Sequence, residues 1–163
     1  MYLNEVMNQP VVVCPDNATL DDAARLMWEH DCGIIPVVDQ DGRLIGVVTD
    51  RDICMSAYTQ GQALNAISVT TAMARTVVAS HEDDSVEAAE QLMQDNQIRR
   101  LPVVDGEGRP VGMVSLNDIA RFVAQARRTA SDRELVQTLA AICQPRMMQA
   151  PPASRPLSRA VAS

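Results

Sequence analysis

The chain repeats itself. Residues 7–57 and 73–123 align without a gap at a constant shift of 66 positions. Identical pairs run through the whole alignment: Met7/Met73, Val11/Val77, Ala23/Ala89, Leu26/Leu92, Met27/Met93, Pro36/Pro102, Val37/Val103, Asp39/Asp105, Gly42/Gly108, Arg43/Arg109, Gly46/Gly112, Val48/Val114, Asp52/Asp118 and Ile53/Ile119. Such a duplication predicts two copies of one unit packed about a pseudo-twofold axis, with any ligand sites also in pairs. Because a unit of about fifty residues buries only a marginal core, we expect both copies to fold as one body.

Charge and composition exclude several classes of function. The net charge is −7 and aromatic residues make up 2% of the chain, so neither a basic patch nor a stacking platform for nucleic acid is expected. The apolar runs are short, as at 34–38, which excludes a transmembrane helix. The N-terminus has no basic start followed by a long apolar stretch, so no secretory signal is expected. A cytoplasmic protein with no membrane or nucleic-acid partner is predicted.

The cysteines leave two interpretations open. Cys14, Cys32, Cys54 and Cys143 show no C-x-x-C spacing. They are either small buried apolar residues or, most plausibly at Cys14, a redox or intersubunit disulfide position. With two histidines in the chain, His30 and His81, no zinc site is predicted.

Each repeat shows the same succession of patterns. Short β-branched runs at 11–13 and 77–79 predict strands, and Thr19 and Ser85 are typical first residues of helix caps. Apolar residues then recur at helical spacing. A second strand containing a proline follows at 35–38 and at 101–104. A glycine-containing turn at 39–43 and at 105–109 leads to a third strand at 44–49 and at 110–115. The second helix is predicted from Asp52 and from Asp118 onward.

The predicted fold is therefore α/β (α+β), with two strand–helix–strand–strand–helix units. Each unit has a three-stranded sheet covered by two helices, and it buries its remaining face against the other unit. We assign repeat 1 to 2–58, a polar linker to 59–71 and repeat 2 to 72–127. Ser131 and Glu134 predict a capped C-terminal helix over 129–143, and the composition of 144–163 predicts a disordered tail.

The strongest candidates for chemistry lie where the last strand of each repeat meets its second helix. Thr49 and Asp52 stand there in repeat 1, and Ser115 and Asp118 in repeat 2. A carboxylate at this position can accept the hydroxyls of a ribose, while the hydroxyl and the free helix amides suit phosphate. Arg51 can add a charge-assisted bond to phosphate. The same pattern is also an ordinary helix cap, but its presence in both repeats favours a ligand.

Other residues allow two roles each. Arg99 and Arg100 occupy positions that hold Gly33 and Ile34 in repeat 1. They either place an arginine in a central cleft facing phosphate or form a solvated pair at the start of a strand. Trp28 lies at the edge of the first helix's apolar stripe, where a core or subunit contact is favoured over a ligand role.

Together these motifs resemble a pair of CBS domains. The resemblance covers residues 2–127 and is carried by P-V-V-D, G-R and the final [ST]-x-x-D, each present twice. It extends to stand-alone pairs of the hypoxic-response-protein type, through Cys14, Glu29–Asp31, Leu101–Val103 and Ala141–Pro145.

The resemblance implies a Bateman module whose two clefts take an adenine compound: AMP, ADP, ATP, S-adenosylmethionine or NAD. In that family pattern, the hydroxyl binds the phosphate and the carboxylate binds the ribose. A basic residue after the hydroxyl also binds the phosphate, and the backbone near the prolines contacts the edge of the adenine. Arg51 matches the basic residue, but Asn117 replaces it in repeat 2, so Arg99 or Arg100 would have to supply the charge. The implied ligand positions are Thr49, Arg51, Asp52, Ile35, Pro36, Ser115, Asp118, Arg99, Arg100, Leu101 and Pro102.

The function predicted from the sequence is a non-catalytic regulatory module. It would be a homodimer that binds an adenine nucleotide, needs no other cofactor, and reports energy or stress state to an unknown effector protein. The alternative is a ligand-independent dimeric stress-response or structural protein tuned through Cys14. An enzyme is not expected, because both histidines lie outside the two motifs.

Overall fold

The structure is a computed structural model that describes residues 1–126, 137–139 and 141–142. Each repeat forms a three-stranded sheet with helices packed on it. The elements of the first repeat are β1 (Cys14–Pro15), α1 (Leu20–Glu29), β2 (Ile34–Val38), β3 (Leu44–Thr49) and α2 (Asp50–Gln60). A short helix α3 (Val69–Ala72) precedes the second repeat, whose elements are β4 (Ser80–His81), α4 (Val86–Asn96), β5 (Arg100–Val104), β6 (Pro110–Ser115) and α5 (Leu116–Ala126). The predicted fold class is confirmed.

The two sheets have the same topology and register. Their strand orders are β1-β2-β3 and β4-β5-β6, with the first pair parallel and the second antiparallel. Each antiparallel pair is joined by a tight turn in which Gly42 (φ 78°) or Gly108 (φ 79°) adopts a left-handed conformation that suits glycine. A one-residue register shift follows Val37 in one sheet and Val103 in the other. The duplication seen in the sequence is therefore also a duplication of hydrogen-bonding pattern.

The first strand of each repeat is shorter and later than the sequence predicts. Residues 11–13 and 77–79 lie outside any strand, and the first strands pair only at Cys14–Pro15 and Ser80–His81. β-Branched composition favours extended backbone, whereas a ladder also needs a partner in register. The second helices also begin two residues earlier than predicted, because Thr49 and Ser115 are the capping residues rather than residues before the cap.

The core has two parts, and each receives side chains from the start of the other aligned repeat and from the segment just before it. Leu3 and Met7, at the start of the chain, pack in the core of the second repeat. Ile67, Val69 and Met73, which follow the first repeat, pack in the core of the first. The segment 59–71, predicted as a polar linker, thus supplies fully buried apolar side chains.

These crossing segments are matched by glycines in the sheets. A Cβ on Gly46 would lie 2.4 Å from the Met73 Sδ, and one on Gly112 would lie 2.4 Å from the Met7 Sδ. Isolated backbone bridges next to these contacts, between Val47 and Ala74 and between Asn8 and Met113, hold each methionine segment against its strand. Each methionine therefore lies flat against the bare backbone of a β-strand.

The predicted C-terminal helix is described only in part. Residues 137–139 and 141–142 are helical, the Gln94 Nε2 donates to the Thr138 Oγ1 at 2.8 Å, and Ile142 packs against the core of the second repeat. The rest of the predicted 129–143 helix, Cys143 and the tail at 144–163 lie outside the described residues. Within the described ranges, no helix combines the length and hydrophobicity needed to cross a membrane.

Candidate functional site

Both hydroxyl–carboxylate pairs form capping boxes. The Thr49 hydroxyl donates to the Asp52 Oδ2 at 2.6 Å, and the Asp52 amide donates back to the Thr49 Oγ1 at 3.2 Å. In the second repeat the Ser115 amide donates to the Asp118 Oδ2 at 2.8 Å, and the Asp118 amide donates to the Ser115 Oγ at 3.2 Å. The capping role is therefore present in both copies. A carboxylate still has acceptor capacity beyond two hydrogen bonds, so capping and ligand binding are compatible.

Only one of the two pairs lines the cavity between the repeats. A cavity of about 920 Å³ has Ser115 and Asp118 in its wall. This volume lies within the range of about 300–1,000 Å³ typical of ligand pockets. The first repeat also contributes to the wall, with residues 30–34, which connect α1 to β2. The hollow is therefore a cleft between the repeats, as a Bateman module requires.

The cavity wall combines apolar and charged surfaces. The apolar part comes from both repeats: Val11, Val12, Ile34, Met113 and Val114. The charged part has Arg100 and Arg121 with Asp31 and Asp118. A surface that is partly apolar and partly ionic suits a molecule with an aromatic base and a charged group.

Arg100 is the arginine of the predicted pair that faces the cleft. Both arginines are exposed, but Arg100 lines the cavity and Arg99 does not. A Cβ at Gly33 would lie 3.6 Å from the Arg100 Nη1 and 3.0 Å from the Asp50 Oδ2, so the guanidinium crosses the bare backbone of the other repeat. Arg100 therefore reaches across the interface between the repeats.

The remaining predicted ligand residues lie elsewhere. Thr49, Arg51 and Asp52 are absent from the wall of this cavity. Ile35, Pro36, Leu101 and Pro102 have buried side chains within β2 and β5 and are not among the wall residues, so the role of the backbone near the prolines stays a prediction. The structure thus groups Ser115, Asp118 and Arg100, and it keeps the other positions apart from them.

Sequence reasoning missed several wall residues. Val11 and Val12 were predicted as a strand, so their role as cavity wall was hidden. Asn8, Asp31 and Arg121 carry no motif of their own. For Arg121 a signal was available, because it follows Asp118 by three residues and therefore lies on the same side of the helix.

The Asp118 carboxylate is buried and ionised. Its side chain is 6% exposed. Burial would raise its pKa, but hydrogen bonds from Ser115, Asn8 and Arg121 outweigh that effect and lower the pKa below 3.8. The cavity therefore contains a permanent negative charge whose partners are all within hydrogen-bonding distance.

A second, more open hollow of about 510 Å³ lies on the first repeat between α1 and α2. It shares Arg100 and residues 31–33 with the cleft, and Trp28 lies on its rim. Trp28 is 89% exposed, Tyr58 70% and Met55 47%. A core role for Trp28 is therefore wrong, and the subunit contact stays a prediction.

The cysteine thiols have different surroundings. Cys14 is fully buried, and burial together with the nearby Asp22 carboxylate raises its pKa to about 11. Cys32 is partly buried and its pKa is also raised, chiefly by burial, whereas Cys54 is exposed. No group of three or more His, Cys, Asp or Glu side chains in the described ranges could hold a metal ion.

Comparison with known proteins identifies relatives over nearly the whole described chain. The CBS domain model matches residues 3–57 and 68–125. Hypoxic response protein 1 of Mycobacterium tuberculosis is 33% identical over 141 residues, covering 86% of this chain and 93% of that protein. Its crystal structure, described as holding two coordinated zinc ions, aligns with a TM-score of 0.68 over 74% of this chain and 98% of that one.

Two solved structures with adenine ligands have the same fold. The CBS domain pair of protein MJ0100, solved with 5′-methylthioadenosine and S-adenosylmethionine, is 27% identical, with a TM-score of 0.69 over 77% of this chain and 98% of that one. CBSX2, solved with AMP, is 27% identical, with a TM-score of 0.67 over 78% of this chain and 98% of that one. Other relatives are much longer: the chain spans 24% of a homoserine O-acetyltransferase from Methanohalobium evestigatum that is 32% identical to it.

Proposed function

The chain belongs to the CBS domain family, and on that premise we propose that it is a non-catalytic regulatory module binding an adenine nucleotide between its repeats. The observation that carries the proposal is the position of Ser115 and Asp118 in the wall of the interrepeat cavity, with Arg100 also in that wall. Complexes of MJ0100 with S-adenosylmethionine and of CBSX2 with AMP support the class of ligand.

The cavity offers a surface for each part of such a ligand. The ribose hydroxyls would donate to the Asp118 carboxylate, which is ionised and faces the hollow. The phosphate would lie near the N-terminus of α5 and the Arg100 guanidinium, since both favour negative charge. The base would lie against the apolar wall that Val12, Ile34 and Met113 help to form.

Ligand binding by the motif of the first repeat stays a prediction. Thr49, Arg51 and Asp52 keep the residue types that suit a sugar-phosphate. We propose that the cleft containing Ser115 and Asp118 is the principal site, because its pair borders a cavity of ligand size. Comparing Asp52→Ala with Asp118→Ala in the binding experiment below separates the two clefts.

The signal would pass to an effector protein that prefers one ligation state. Tight binding alone shifts no equilibrium, so the effector must contact surface that differs between the free and bound forms. We further propose that the chain is a homodimer joined through the first repeat, whose helices α1 and α2 carry the exposed Trp28, Met55 and Tyr58. A cytoplasmic location stays a prediction.

The alternative, a ligand-independent protein tuned by redox chemistry at Cys14, gains no support from the surroundings of that thiol. The reactive form of cysteine is the thiolate. A fully buried thiol with a pKa of about 11 forms almost none at neutral pH.

The test is isothermal titration calorimetry with AMP, ATP, NAD and S-adenosylmethionine. We expect at least one to bind the wild type, and Asp118→Ala to weaken binding by about 1.5–3 kcal/mol, the usual value of a hydrogen bond to a charged group. No heat with any of the four ligands would contradict the proposal.

A matched control separates binding from folding. Asp22 forms the same capping box with Thr19, yet it lies outside the cavity wall. Asp22→Ala should therefore lower stability as other cap losses do while leaving the affinity unchanged. An equal loss of affinity in both variants would assign Asp118 a structural role only.

A further inference from the structure

Arg121 forms an ion pair with Asp118 inside the proposed ligand site. The Arg121 Nη2 contacts the Asp118 Oδ1, and Arg121 itself belongs to the cavity wall. The arginine side chain is 68% exposed, whereas the carboxylate is 6% exposed. One partner is therefore fixed in the wall and the other is free to move into solvent or into the cavity.

The duplication does not account for this arginine. The equivalent position of the first repeat holds Met55, so the pair exists only beside the larger cavity. The second repeat also carries Asn117 where the first carries Arg51. The cleft that lacks the usual basic residue thus contains a different one, a single helical turn further along.

A similar arrangement elsewhere shows what an ordinary surface pair looks like. Thr19, Asp22 and Arg25 have the same spacing, and the Arg25 Nη2 lies 3.4 Å from the Asp22 Oδ1. Both of those side chains are about half exposed, and neither lines the cavity. A pair of that kind contributes little. The pair at Asp118 differs because its carboxylate is buried and faces a hollow.

The two carboxylate oxygens of Asp118 have different duties. Oδ2 accepts the Ser115 amide and hydroxyl, which cap the helix, whereas Oδ1 accepts the guanidinium. Because Oδ2 already accepts two hydrogen bonds, a ribose hydroxyl that uses this carboxylate competes with Arg121 for Oδ1. The displaced guanidinium would carry an unpaired charge unless the ligand supplied an anion for it.

We propose that Arg121 selects phosphorylated ligands by masking Asp118 and exchanging this carboxylate for the ligand's phosphate when a nucleotide enters. The inference rests on the proposed function and names the chemistry that the site prefers. A nucleotide replaces one ion pair with another, because guanidinium binds phosphate in a forked geometry. A nucleoside breaks the ion pair and has no anionic group that could bind the arginine in its place. The site should therefore discriminate strongly between AMP and adenosine.

The other charged groups of the cavity are consistent with an exchange. Arg100 and Asp31 also line the wall, so the four charges balance while Arg121 holds Asp118. A phosphate brings about 1.5 to 2 negative charges at neutral pH. Arg100 alone cannot neutralise that charge, and the released Arg121 is the second arginine in the wall.

The test measures AMP and adenosine binding to the wild type and to Arg121→Ala by calorimetry. We expect Arg121→Ala to bind AMP about ten- to a hundredfold more weakly, as for a lost bond to a charged group. Adenosine should bind as tightly as to the wild type or more tightly, because its competitor for Oδ1 is gone. The opposite directions of change are the signature of exchange, since a structural role would weaken both ligands alike.

Two more variants keep the test conclusive. Arg121→Lys retains the charge and should preserve a preference for AMP, and Arg121→Gln gives the uncharged comparison should the alanine variant fold poorly. Arg25→Ala removes the matched surface pair and should change neither affinity. Equal loss of both ligands, or no change in either, overturns the role of Arg121. A wild type that binds neither AMP nor adenosine also overturns the role of Arg121, whereas the proposed function fails only if ATP, NAD and S-adenosylmethionine give no heat either.

Discussion

At the scale of single residues, one carboxylate serves a helix and, by our proposal, a ligand. Asp118 caps α5 through Oδ2 and presents Oδ1 to the cleft. The sequence was sufficient to identify this residue and Asp52, its equivalent in the first repeat, because a hydroxyl residue three positions before a carboxylate is a recognisable motif. It could not show which twin borders the cavity, since that depends on neighbours that differ between repeats, such as Gly33 and Arg100.

The lowered pKa of Asp118 predicts a pH dependence of stability. A folded-state pKa below the unfolded value of 3.8 means that ionised Asp118 stabilises the fold above that pH, and the contribution is lost as pH falls through the folded-state pKa. Asp118→Asn should therefore be less stable than the wild type at pH 7, with the difference shrinking as the pH falls below the unfolded-state value of 3.8. Urea unfolding across this range measures it. A difference that stays constant or grows in acid would contradict the assigned ionisation.

At the scale of elements, periodicity and turn chemistry predicted most of the fold. The helices beginning after Thr19 and Ser85 and the turns at Gly42 and Gly108 are found where the sequence indicates them. The first strands were misplaced, because pairing with β2 or β5 decides where a ladder forms. The crossing of Met7 into the second core also could not be predicted, since alignment of the repeats assigns that residue to the first.

The close approach of Met7 to β6 gives a test of the crossing. A Cβ at Gly112 would lie 2.4 Å from the Met7 Sδ and 3.3 Å from the Asn8 carbonyl oxygen, so Gly112→Ala overpacks the contact. We expect a loss of about 1–3 kcal/mol of unfolding free energy. The control is Gly106→Ala, where nothing lies within 4 Å of the added atom. Equal stability of the two variants in chemical denaturation would show that the N-terminal segment does not pack there.

At the scale of the whole molecule, the two halves differ most on their outer surfaces. The first repeat exposes Trp28 where the second has Gln94, whose amide contacts Thr138 of the C-terminal segment. The second repeat is therefore covered by its own chain at the position where the first presents an indole. This asymmetry could not be predicted from the two repeats alone, because it depends on a segment outside them.

The exposed face predicts self-association through the first repeat. Burial of a tryptophan and its neighbours in a shared interface would remove a large apolar surface from water. We expect the wild type to sediment as a dimer and Trp28→Glu as a monomer in analytical ultracentrifugation. Tyr2→Glu changes an exposed aromatic residue outside this face and should leave the dimer intact. A monomeric wild type, or a dimer unaffected by Trp28→Glu, would place the interface elsewhere or exclude it.

The central claim is that an adenine nucleotide binds in the cleft between the repeats. Amide chemical-shift mapping by NMR during titration with AMP tests it most directly, because the chain is small and each wall contributes separate signals. The account predicts that the largest shifts fall at residues 8–12, 30–34 and 113–121, with smaller shifts at the capping box of Thr19. Shifts confined to other surfaces, or no shifts with AMP, ATP, NAD or S-adenosylmethionine, would contradict it.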